Sequence, residues 1–123
     1  MSGSNFLLDT NVALFLLSGN RTIAEILDEK QPYISFITQL ELLGYKGISS
    51  DETSKIKKFI DECIIIDINS EIKQYVIEIR KKYSIKLPDA IIAATSIFAN
   101  VPLISADKDF RKITALELLL IEE

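Results

Sequence analysis

Short, solid apolar runs alternate along this chain with longer stretches in which apolar positions recur every three or four residues. The first pattern suits strands buried on both faces, the second amphipathic helices. Read this way, Asn5–Leu8 is a strand, followed by a helix from Thr10 to Leu17 that stops near Gly19. Thr22–Glu29 is a second helix, ended before Pro32, and Tyr33–Ser35 a short strand. Phe36–Tyr45 is helical, with Ile37, Leu40, Leu43 and Gly44 on one stripe. Ser50 is placed to cap a helix over Asp51–Glu62, whose apolar face is Ile56, Phe59 and Ile60. Ile64–Ile68 is a strand, and Ser70 caps a helix to about Tyr83 with Ile72, Val76 and Ile79 inward. Pro88 suits the first position of a helix to about Phe98. Leu103–Ser105 is a strand, Asp107–Arg111 a turn or short helix, and Leu116–Ile121 a last strand. Strands separated by helices predict right-handed crossovers: an α/β fold of three layers, with a mostly parallel central sheet flanked by helices.

Three of the strand-like runs end on or just before an acid: Phe6-Leu7-Leu8 before Asp9, Ile64-Ile65-Ile66 before Asp67, and Leu103-Ile104-Ser105 shortly before Asp107. In a parallel sheet the carboxyl ends of the strands share one edge, where ligands bind. Acids from distant parts of the chain therefore converge there, and carboxylates brought together either share protons or hold a cation. The chain has no histidine and one cysteine, which favours a hard, oxygen-ligated ion such as Mg²⁺ or Mn²⁺.

Composition narrows the picture. The 123 residues suit a single domain with a real core. The lone Cys63 excludes an internal disulfide, fits a reducing cytoplasm, and reads as a small packing residue. No apolar stretch is long enough to span a bilayer, and Met1-Ser2-Gly3-Ser4 shows neither a basic region nor a signal core. These features predict a cytoplasmic protein without a membrane anchor. A net charge of −4 argues against bulk binding of nucleic acid but not against a nuclease, whose acids are neutralised by metal. The basic residues are grouped: Lys55, Lys57 and Lys58; then Arg80, Lys81, Lys82 and Lys86; then Lys108, Arg111 and Lys112. Each group suits a solvated helix face, but the second and third each lie beside a candidate acid.

Each acid also has a plainer role open to it. Asp9 precedes Thr10 and Asn11, all good helix starters, so it suits a cap as well as a ligand. Thr10 and Asn11 can likewise cap or orient a carboxylate. Glu41 lies among Leu40, Leu42 and Leu43 yet can face water, with Thr38 on its own face one turn earlier. Asp89 opens an almost wholly apolar helix, which suits the helix dipole but predicts costly burial unless it is partnered. Asp107 and Asp109 follow a strand, ordinary ground for Asp in turns. Asp67 is expected outside the site, because Ile68 suggests that its strand continues.

Taken in order, Leu8-Asp9-Thr10-Asn11-Val12, Ser35-x-x-Thr38-x-x-Glu41-Leu42, Leu87-Pro88-Asp89-Ala90 and Ser105-Ala106-Asp107-Lys108-Asp109-Phe110 resemble the PIN domain, and more narrowly the VapC toxins of type II toxin–antitoxin systems. No one motif is specific; the ordered set is, and it covers nearly the whole chain. The resemblance implies a PIN-like, Rossmann-like fold and an endoribonuclease dependent on Mg²⁺ or Mn²⁺. Its four acids would be Asp9, Glu41, Asp89 and Asp107, supported by Thr10, Asn11, Thr38 and Ser105, with Asp109 able to share the fourth role. Ser105 stands where the family usually has Thr. The resemblance further implies 5′-phosphate and 3′-hydroxyl products, a homodimer, and an antitoxin inserted near the acids. A phosphoacceptor receiver domain, using Asp67 and Ser105, fits less well. It needs paired acids after the first strand and a late Lys, where this chain has Thr10 and Asn11, and Glu122 and Glu123. A haloacid-dehalogenase-type phosphatase is opposed by Asn11. A catalytically silent PIN-like binding module is opposed by the retained acids.

Overall fold

A computed structural model describes residues 5–122; Met1–Ser4 and Glu123, and with them the reading of the N-terminus, lie outside the described residues. Five parallel strands, β1 (Asn5–Leu8), β2 (Gln31–Ser35), β3 (Ile64–Ile66), β4 (Leu103–Ser105) and β5 (Leu118–Leu120), form one sheet in the order β3-β2-β1-β4-β5. Six α-helices are described: α1 (Thr10–Leu17), α2 (Arg21–Leu27), α3 (Phe36–Leu43), α4 (Ser50–Glu62), α5 (Ser70–Lys82) and α6 (Leu87–Ala99). A 3₁₀ helix covers Lys108–Lys112.

Alternation along the strands sends successive side chains to opposite faces. Leu7 and Leu103 enter the core beneath α5, α6 and the 3₁₀ helix, with Ile72, Ile92 and Phe110. Leu8, Ile34 and Ile104 enter the other, with Val12, Ile23, Leu42, Phe59 and Ile60. Both faces of the sheet are therefore covered, as the solid apolar runs require. The chain leaves β1 for β2 on one side and returns to β4 on the other. The gap between the carboxyl ends of β1 and β4 is thus the switch point at which open α/β sheets take ligands.

Local chemistry corrects several boundaries. α4 is capped by Ser49 rather than Ser50: its hydroxyl accepts from the Glu52 amide at 3.1 Å, and Glu52 Oε1 accepts back from the Ser49 amide. This reciprocal box satisfies donors that Ser50, one residue inside the helix, cannot reach. Ser49→Ala is expected to cost about 1 kcal/mol in urea unfolding, against a few tenths for Ser50→Ala. α5 is capped by Asn69, not Ser70, through a 2.8 Å bond from the Ile72 amide. Pro88 occupies the second turn position of α6, after Leu87, where its missing N–H still costs nothing. Asn100, in the left-handed region at φ 55°, ends that helix. β3 stops at Ile66 rather than Ile68, because Asp67 Oδ1 accepts from the next amide and turns the chain out of the ladder. β5 begins at Leu118, since the Leu116 amide is taken by the Ile113 carbonyl in a preceding turn.

Candidate active site

The site is built at the switch point. Asp9 follows β1 and caps α1, its Oδ1 accepting from the Val12 amide at 2.8 Å. The cap is therefore real. The second oxygen has a different partner: Oδ2 accepts a hydrogen bond from the Ser105 hydroxyl, at the end of β4. Ser105 is fully buried, and its oxygen also accepts from the Asp107 amide at 2.9 Å. One hydroxyl thus ties the acid after β1 to the turn that carries the acid after β4.

Glu41 is held by a second relay. Thr10 donates to Glu41 Oε1 at 2.6 Å and lies 3.0 Å from the hydroxyl of Thr38, which is fully buried. Thr10 has one hydroxyl proton, and Glu41 takes it, so Thr38 is the donor of the second bond. Asp89 stands in the first turn of α6.

Asp9, Glu41, Asp89 and Asp107, from four separate elements, line one cavity of about 140 Å³ together with Thr10, Asn11, Tyr45 and Ile92. Thr38 and Ser105 act on its walls through the bonds above. Asp109 is exposed and sends its backbone N–H to Asp107 Oδ1, and Asp67 is exposed beyond the edge strand β3; neither lines the cavity. Sequence reasoning missed Tyr45 and Ile92. Ile92 was within reach by helical spacing, three residues after Asp89 on α6, whereas Tyr45 lies beyond the end of α3 at Leu43, where helical spacing no longer applies.

The electrostatics follow from burial and crowding. Asp9, 5% exposed, has its carboxyl pKa raised above 3.8, mainly by burial. Its Ser105 and Val12 hydrogen bonds oppose the rise, and the charges of Asp107 and Glu41 add to it. Asp89 is raised by burial, then by Asp107 and Asp9, with Lys86 pulling the other way and Glu41 adding. Cys63 stands apart from the cavity, at the end of α4, and burial pushes its thiol up to about 12, which suits an inert packing residue.

Among the described residues, no group of three or more His, Cys, Asp or Glu is gathered tightly enough to enclose an ion as the side chains stand. The donor set still fits a hard cation. It consists of oxygens alone, and the neighbouring acids disfavour ionisation of Asp9 and Asp89. Mg²⁺ keeps several waters and takes only one or two carboxylates directly, so the site does not require carboxylates closed around a point. Ser105→Ala would leave Asp9 Oδ2 and the Asp107 amide without this partner; removing such supports typically costs 10- to 100-fold. We expect a loss of about that size in affinity for a divalent cation, read by Mn²⁺ titration, with Ser105→Thr retaining most of it.

The fold and site together define a parallel α/β protein whose acids line a cavity at the sheet's switch point. Residues 6–116 match the PIN domain family. The chain belongs to that family. It is similar to a chain of a toxin–antitoxin complex from Klebsiella pneumoniae, at 32% identity and a TM-score of 0.81, covering 95% of this chain and 98% of that one. It is similar to VapBC-1 from nontypeable Haemophilus influenzae, at 25% identity and 0.81, covering 94% and 97%. The fold of VapBC2 from Rickettsia felis, solved bound to a promoter DNA fragment, gives a TM-score of 0.84 at 23% identity, covering 96% and 99%. Among curated proteins no match is found. The VapC-like fold expected from the four motifs is therefore the fold observed.

Proposed function

We propose that this chain is a metal-dependent endoribonuclease and the toxin of a toxin–antitoxin pair. The observation that carries the proposal is that Asp9, Glu41, Asp89 and Asp107, far apart in sequence, line one small cavity at the sheet's switch point. These four would hold Mg²⁺ or Mn²⁺. Bound there, the ion would supply Lewis acidity, lowering the pKa of water and neutralising charge on the phosphate under attack. The chain's own residues do the positioning. Ser105 and the Val12 amide fix both oxygens of Asp9, and Thr10, oriented by Thr38, fixes Glu41. Asp89, in the first turn of α6, would offer a further carboxylate oxygen to the ion, directly or through one of its waters. The resemblance to the Klebsiella toxin–antitoxin complex supports an antitoxin partner. A homodimer, a cytoplasmic setting and 5′-phosphate products complete the proposal. No helix among the described residues is long and apolar enough to cross a membrane.

The test is cleavage of end-labelled RNA by the purified chain. Cutting is expected with Mg²⁺ or Mn²⁺, not with chelator, and only feebly with Ca²⁺, whose looser geometry polarises water less. A chain that captures its antitoxin yet cuts no RNA with any of these ions would instead be a silent binding module.

A further inference from the structure

Basic residues are unevenly spread around the acid cavity. Residues 5–20, which supply Asp9, Thr10 and Asn11, contain no Lys or Arg, and residues 31–45, which supply Glu41 and Tyr45, contain none either, with the single exposed Lys46 following Tyr45. The remaining wall, carrying Asp89, Ile92 and Asp107, is bordered by basic residues. Lys86 is the residue before α6, near enough to Asp89 to oppose its protonation. Lys108 directly follows Asp107, and Arg111 and Lys112 end the 3₁₀ helix.

These two segments are one surface. Lys112 Nζ donates to the Ser84 carbonyl at 2.7 Å, which joins the 3₁₀ helix to the loop between α5 and α6. Tyr83 and Ile85 from that loop pack against the core that holds Phe110 and Ile113. Lys82 extends the strip at the end of α5, its ammonium 5.5 Å from the Tyr83 ring centre. Lys82, Lys86, Lys108, Arg111 and Lys112 are all exposed, and only Asp109 interrupts them with an acid. Placement at helix ends accounts for Lys82, Arg111 and Lys112, but not for Lys86 or Lys108.

An acidic protein that cuts a polyanion needs a place where phosphates are attracted rather than repelled. We propose that this strip, from Lys82 through Lys86 to Lys108–Lys112, binds the backbone phosphates of RNA, so that the substrate enters the cavity along the Asp89 and Asp107 wall. This rests on the ribonuclease function proposed above. It adds a direction of approach and names the residues that hold the strand.

The experiment measures binding of a fluorescent single-stranded RNA to the full chain carrying Asp9→Asn, by anisotropy in chelator across a salt series. Lys86→Glu, Lys108→Glu and Lys112→Glu are combined. The control combines Lys55→Glu, Lys57→Glu and Lys58→Glu on α4, with the same change in net charge. Single strands lose affinity with a slope of about −0.7 per phosphate contact. The strip variant should therefore flatten the log–log slope by about 2 and weaken binding roughly a hundredfold near ~0.1 M salt. The control should keep the parent's slope. A Lys→Gln version of the strip triple, checked by melting temperature, gives the same comparison without reversed charge. Equal weakening by both triples, or no weakening by either, would overturn the inference. RNA cleavage by the parent with unchanged binding by the strip variant would overturn it while leaving the ribonuclease function standing. Selective loss of binding by the strip variant, in a chain that never cuts RNA with metal, would uphold the strip and overturn the nuclease.

Discussion

Expressed alone in a bacterial host, the chain is expected to arrest growth, and Asp9→Asn is expected to relieve the arrest. Asn is the mildest change available. It is as good a helix cap as Asp, so the bond from the Val12 amide survives. Its Nδ2 can donate to the Ser105 oxygen where Oδ2 now accepts, which keeps the link to Asp107. What is lost is one negative charge at the most buried acid of the cavity. A bound cation is worth several kcal/mol of transition-state charge stabilisation. Losing about 4 kcal/mol of it is a factor of roughly 10³ in rate, at 1.36 kcal/mol per tenfold. Growth curves with matched expression, with cleavage assays on the purified pair, check this. A fully toxic Asp9→Asn chain would remove Asp9 from the mechanism, or the metal mechanism itself.

β1, α1 and β4 were legible to the residue, because solid apolar runs and a strong cap leave little choice. The two misplaced caps share a cause: competition between adjacent polar residues for the same backbone donors. Ser49 beats Ser50 only because Glu52 is spaced to answer it. Asn69 beats Ser70 in the same way, by reaching the Ile72 amide. The shortening of β3 and β5 came from single bonds, at Asp67 and at Leu116, that no periodicity encodes. The convergence of four acids was suggested by strand ends and by the ordered motifs together. The relays were less visible. That Ser105 bridges Asp9 and Asp107, and that Thr38 acts on Glu41 through Thr10, depends on which strands are neighbours. That β1 lies next to β4 is a fact of topology rather than of any segment.

Metal should stabilise the chain markedly, and the pH dependence of the metal-free form shows why. Asp9 and Asp89 have folded pKa values raised above 3.8. The folded state therefore binds more protons than the unfolded one between the two values, and stability falls as pH rises through that window. The contribution is complete below about pH 3.8, the unfolded value, and is lost above the folded one. In chelator at neutral pH, Asp9→Asn should thus melt higher than wild type, and the difference should shrink as pH is lowered toward the unfolded value. Adding Mg²⁺ or Mn²⁺ reverses the order. An ion binding only the folded chain at about 100 times its Kd adds roughly 2.7 kcal/mol, on the order of 10 °C for a domain of this size. Asp9→Asn and Asp107→Asn should each cut that gain sharply. Asp67→Asn, exposed beyond the edge strand, should keep it. Differential scanning fluorimetry over a pH and metal grid reads all of these at once. Equal metal stabilisation of wild type and Asp107→Asn would take Asp107 out of the site. Asp109, already linked to it through its amide, would then be the acid to substitute next.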